Sequence, residues 1–143
     1  MQNDTIRLLG ECDAGIQMAV KAIDDVTPSV DSRHMLHCLV KSRAAHLQLQ
    51  CEAHTRLRQL GATGKAPNPM ASAMSHLKTG ARLAVQPDDS TVADLVIGGC
   101  NMGVKSLHKY RTRCLDADGD SRRIAGALID LETELAQELY PYL

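Results

Sequence analysis

The chain has 143 residues, 44% of them hydrophobic and 23% charged, with a net charge of −1. This balance fits one folded domain with its own apolar core and excludes an intrinsically disordered chain. Lys+Arg 16 against Asp+Glu 17 leaves no basic surplus for a nucleic-acid partner, and with only Tyr110, Tyr140 and Tyr142 as aromatics there is no stacking platform or aromatic cage.

Every periodic segment reads as helix and none as strand. The first helix is expected over 5–26, with Asp4 as N-cap and Ile6, Leu9, Ile16, Val20 and Ile23 at helical spacing. Thr27-Pro28-Ser29 ends it, because proline disfavours helix at the residue before it. A second helix is expected over 30–60, with Leu36, Leu39, Val40, Leu47, Leu57 and Leu60 as its stripe and Gly61 at its C-terminus. Residues 61–69 are a run of helix breakers. Met70, Met74, Leu77, Ala81 and Ala84 then mark a short amphipathic helix, expected to cap the bundle. After a break at 86–90, with Asp89 or Ser90 as N-cap, a helix over 91–115 turns Leu95, Val96, Met102, Leu107 and Tyr110 inward. The last helix runs over 121–140 along Ile124, Leu128, Leu131, Leu135 and Leu139, and Pro141 stops it.

Four long helices thus form two hairpins within one domain, 1–143, joined by a long crossover, 61–90. Such a crossover returns the chain to the opposite end and makes the second and third long helices parallel, the connectivity of ferritin-like bundles. Ala93-Asp94-Leu95-Val96-Ile97-Gly98-Gly99-Cys100-Asn101-Met102-Gly103-Val104-Lys105-Ser106-Leu107, then Ser121-Arg122-Arg123-Ile124-Ala125, Leu131-Glu132 and the Pro67-Asn68-Pro69-Met70 crossover, together resemble the uncharacterised small bacterial ferritin-like four-helix-bundle proteins. The resemblance covers most of the chain. It implies an all-α fold and no established chemistry.

Several side chains invite chemistry. A di-iron carboxylate site needs a Glu from each of two helices and a Glu-x-x-His from each of the others, and the sequence has no Glu-x-x-His. Asp13 falls on the inward stripe between Leu9 and Ile16, while His46, Gln50 and His54 lie on or beside the inward face of the second helix. A buried polar layer is expected there, with His46 as the first partner of Asp13, since an unpaired buried charge is costly. Counting along the helices sets His46 level with Cys12, Asp13, Ser106, His108 and Gly126. His34, His37 and Cys38 offer imidazole and thiolate donors about one turn apart, an incomplete set for zinc or another transition metal. Gly98, Gly99 and Gly103 weaken a helix interior. They are read as close-packing positions, against Ala14-Gly15 inside the bundle or against a second subunit.

Cys12, Cys38, Cys51, Cys100 and Cys114 match no Cys-x-x-Cys pattern and read as reduced thiols. The N-terminus lacks a basic start and apolar core, and no apolar run reaches the ~20 residues of a membrane span, so a cytoplasmic protein is expected. The sequence therefore reads as a non-catalytic structural or protein-interaction bundle without cofactor, nucleic-acid or membrane partner, and as a homodimer. The rival reading is a ferritin-like metal-binding or redox bundle with an atypical His/Asp/Cys site for iron, manganese or zinc.

Overall fold

Proline, glycine and capping side chains divide the chain into five helices. In the computed structural model, which describes residues 2–143, these are α1 (Gln2–Val26), α2 (Arg33–Gln59), α3 (Pro69–Val85), α4 (Asp89–Arg113) and α5 (Gly119–Leu139). Short 3-10 turns at Thr27–Ser29 and Tyr140–Tyr142 each contain a proline. No strand occurs among the described residues.

The caps differ from expectation by a residue or a few. Ser32, Asn68, Asp88 and Asp118 accept from the first free N–H groups of α2, α3, α4 and α5. Asp4 is not a cap. It lies inside the first turn of α1 and accepts from the backbone N–H of Asp116 instead. Asp89 is likewise released from capping α4 and accepts from the N–H groups of Asp31 and Ser32, which ties the start of α2 to the start of α4. At the end of α2, Gly61 takes φ +70°, and Gly61 N–H and Ala62 N–H bond back to the carbonyls of Arg58 and Leu57. This is a Schellman stop, which glycine adopts without a Cβ penalty.

Two clusters fill the core. One joins Leu8, Leu9, Cys12 and Ile16 of α1 to Leu49, Ala53 and Leu57 of α2, Leu107 of α4 and Ile124, Ala125 and Leu128 of α5. The other joins Ile23 and Val26 to Met35 and Leu39, to Val92, Ala93, Val96 and Ile97, and to Leu135 and Leu139. The first half of α1 therefore shares its end with the second halves of α2 and α4 and the first half of α5. So α2 and α4 run parallel to each other and antiparallel to α1 and α5, and α1 packs on both α2 and α4. Val40 and Met102 leave the stripes expected of them and are exposed, as scattered apolar surface residues commonly are.

α3 lies outside this bundle, against α1 and the start of α4. Thr79 and Leu83 are its buried residues. His76 bonds Asp25 of α1 at 2.9 Å, and Arg82 pairs with Asp94 of α4. The expected inward stripe of α3 is reversed: Met70, Met74 and Leu77 are 73%, 65% and 70% exposed, Val85 is 81% exposed, and Ala81 and Ala84 are exposed beside them. The side held by α1 and α4 is instead the one that carries Thr79 and Leu83, and Leu83 enters the second core cluster.

Candidate functional site

Asp13 is 1% exposed, and its carboxylate is filled from four directions. Oδ1 accepts from His54 Nε2 at 2.8 Å and from Gln50 Nε2 at 2.9 Å. Oδ2 accepts from the Lys65 backbone N–H at 2.9 Å and from Gln17 Nε2 at 3.1 Å. A carboxylate offers about four lone-pair sites, so none is left over. Gln17 also donates to the Lys65 carbonyl, and Lys65 Nζ pairs with Glu11. The crossover is thereby fastened onto the groove between α1 and α2. Gly64 makes this approach possible: a Cβ there would lie 2.2 Å from Asp13 Oδ2 and 3.1 Å from His54 Nε2. The same two glutamines, Gln17 and Gln50, border an open surface groove of about 330 Å³ that continues along Val20, Asp24 and Leu47.

His46 is not part of this cluster, contrary to the expected Asp13–His46 pair. It is fully buried and bonds Glu132 Oε1 through Nε2 at 2.8 Å. The expected level was wrong because helical periodicity fixes faces and not the slide of one helix along another. Packing of Leu49, Ala53 and Leu57 of α2 in one core cluster with Ile124, Ala125 and Leu128 of α5 goes with a slide that brings Glu132, not Gly126, opposite His46, and the exposed pairs Arg56–Asp118 and Glu52–Arg123 form at that same slide. His46 Nδ1 lies 2.7 Å from the Ser42 carbonyl, which can only accept, so Nδ1 carries a proton. The His46–Glu132 contact then holds one further proton. Burial by itself would lower the His46 pKa, but the Glu132 hydrogen bond and charge, with the Ser42 carbonyl, outweigh it and raise the pKa. The shift favours the protonated form of His46 beside Glu132. Beside it, burial and the Glu132 charge push the Cys100 thiol up, while burial and then Glu11 and Asp13 push Cys12 up to about 12. Both stay protonated and poorly nucleophilic.

The remaining candidates separate. His34 Nε2 lies 3.7 Å from Cys38 Sγ, with its ring stacked on Tyr142, whereas His37 is exposed and takes no part in this contact. Burial and Glu138 raise the Cys38 thiol to about 11. Among the described residues no group of three or more His, Cys, Asp or Glu is arranged to hold a metal ion. A Cβ at Gly98 or Gly99 would meet nothing within 4 Å, so these two do not pack against Ala14-Gly15; they are exposed on α4. A Cβ at Gly103 would lie 3.6 Å from Glu132.

Sequence reasoning missed Glu132, Gly64 and Gln17. Glu132 carried a signal, since it follows Leu128 by four and precedes Leu135 by three, the same placement that singled out Asp13. Gly64 and Gln17 carried none, because their role depends on where the crossover lands. Both buried pairs are satisfied internally, and no buried side-chain nitrogen or oxygen among the described residues lacks a partner. What the molecule leaves unpartnered is the apolar face of α3. The chain matches no family model, no curated protein and no solved structure.

Proposed function

We propose that this chain is a non-catalytic protein-interaction bundle, ferritin-like in topology, whose working surface is the outward face of α3. The observation that carries the reading is the reversal of α3, with Met70, Met74, Leu77 and Val85 turned to solvent while His76 and Arg82 are held against the bundle. A contiguous exposed apolar face of this kind marks an interaction site. The ferritin-like reading is supported by the parallel α2 and α4 and by the crossover between them. The internally satisfied Asp13 and His46 clusters support a structural role for the polar layer.

The test is site-specific photocrosslinking in living cells from a reactive residue at Leu77, with one at exposed Glu134 of α5 as control. A discrete adduct from position 77 and none from position 134 is expected. Absence of an adduct at 77 overturns the reading. The rival, a metal-binding or redox bundle, rests on the His34–Cys38 contact. Stoichiometric iron, manganese or zinc in untagged protein, lost on His34→Ala, would favour it.

A further inference from the structure

We propose that the outward face of the second half of α4, with Arg7 of α1 beside it, docks an acidic polypeptide segment that carries apolar side chains at its ends. Residues 95–115 hold Lys105, Lys109, Arg111 and Arg113 and no Asp or Glu. The net charge of −1 averages this local surplus with an acidic remainder. α3 packs near the other end of α4, where Arg82 pairs with Asp94, so this surface is separate from the outward face of α3.

The cations of this surface are unpaired. Arg43, Arg56, Arg82 and Arg123 each hold a carboxylate. Among the described residues, Arg7, Lys105, Lys109, Arg111 and Arg113 hold none. Asp118 and Asp120 of the following turn are engaged by Arg56 and Arg123. Arg7 and Lys109 instead both stand 5.6 Å from the centroid of the Tyr110 ring, which keeps two like charges close together. Arg111 and Arg113 lie in the last turn of α4 and offset the negative end of its dipole. Arg7, Lys105 and Lys109 lie outside that turn, so the dipole does not account for them.

At ~100° per residue, Met102, Lys105, Lys109 and Arg113 fall within about 80° of one another on α4. All four are exposed. Met102 is 75% exposed at one end of the row, and Leu115 is 74% exposed just past the other. The row is on the order of 20 Å long at ~1.5 Å per residue. Charge complementarity asks for an anion, and the apolar ends choose among anions. A polypeptide can set carboxylates against the cations and its own apolar side chains against Met102 and Leu115. A phosphodiester backbone has nothing to set against those two, and the half-buried Tyr110 is no stacking platform for bases. A lipid surface would need bulkier anchors along the row. Exposed ion pairs are weak and screened by salt, so the docking is reversible and salt-sensitive.

The test titrates the purified chain onto a labelled synthetic peptide, a run of glutamates with a leucine at each end, and follows fluorescence anisotropy. Binding that weakens as salt is added is expected. A peptide with glutamine in place of glutamate should not bind, and one with serine in place of leucine should bind several-fold more weakly. Lys105→Glu with Lys109→Glu should weaken binding at least tenfold and keep the helical circular dichroism and melting of the parent. Met102→Ser should weaken it several-fold, and Lys78→Glu of α3 should leave it unchanged. No binding at low salt, or binding indifferent to Lys105→Glu with Lys109→Glu, overturns the inference. Tighter binding to a duplex oligonucleotide or to phosphatidylserine vesicles, or indifference to the loss of the leucines, overturns the polypeptide as occupant. None of these results bears on an adduct from position 77, which tests the α3 face alone.

Discussion

Asp13–His54 and His46–Glu132 are the same chemical pair built in two different ways. Asp13 is enclosed by α1, α2 and the crossover, and its imidazole partner keeps a side chain 40% exposed. His46–Glu132 is enclosed by helices alone, with the imidazole fully buried. The first pair depends on a loop that must lie down correctly and on a glycine that lets it. The second depends on the slide of α2 against α5. A carboxylate can thus be satisfied by backbone from a neighbouring segment or by an imidazole from a neighbouring helix, and the two solutions fail in different ways.

The largest effect should come from breaking the helix-enclosed pair. Glu132→Ala leaves the fully buried His46 without its partner and opens space beside it, and we expect a loss of about 3–5 kcal/mol in denaturant unfolding. Glu132→Gln should lose less, because the amide oxygen still accepts from His46. Breaking the loop-enclosed pair should cost less, since His54 and the crossover can turn to water. Gly64→Ala forces a methyl group against Asp13 Oδ2, and the expected loss is about 1–3 kcal/mol. Its hydrogen exchange should quicken at Lys65 and leave the core of α5 unchanged.

Double-mutant cycles sharpen the assignment of partners. Asp13→Ala with His54→Ala should couple by about 0.5–3 kcal/mol, whereas Asp13→Ala with His46→Ala should add within about 0.5 kcal/mol. Coupling of the second pair and additivity of the first would reverse the comparison.

The smallest effect is on pH. His46 holds its proton more tightly folded than unfolded. Its contribution is therefore complete below its ordinary value of 6.5 and is lost as pH rises through its higher folded value. Cys12 and Cys100, raised from 9.0, behave alike at higher pH: their contribution holds below 9.0 and fades above it. Melting temperature should thus fall in steps on the alkaline side, and His46→Gln should remove the first step.

Much of the fold was legible because it is written locally. Pro28, the 61–69 breakers, Gly61 and Pro141 end helices by backbone geometry that any neighbours would obey. Faces were legible wherever an apolar stripe met a core, as in α1 and α5. The polar layer was visible at Asp13 for the same reason, but its pairing was not. His46 reads equally well against either carboxylate until core packing between α2 and α5 fixes the slide of α5. α3 escaped because an amphipathic pattern says which side is apolar and not whether the bundle or another molecule covers it. There the side that carries Thr79 and Leu83 is the one the bundle takes, with Leu83 entering the core cluster.

The two pairs also differ in when they can form on a ribosome. Asp13, Gln17, Gln50, His54 and Lys65 all lie within the first 65 residues, so the α1–α2 hairpin can close its own polar cluster as soon as the start of the crossover emerges. His46 waits for Glu132, 86 residues later. Until then the polar imidazole of His46 faces the open side of the hairpin and keeps that side wet. The nascent chain thus carries a polar guard on its unfinished apolar surface, withdrawn only when the final helix arrives.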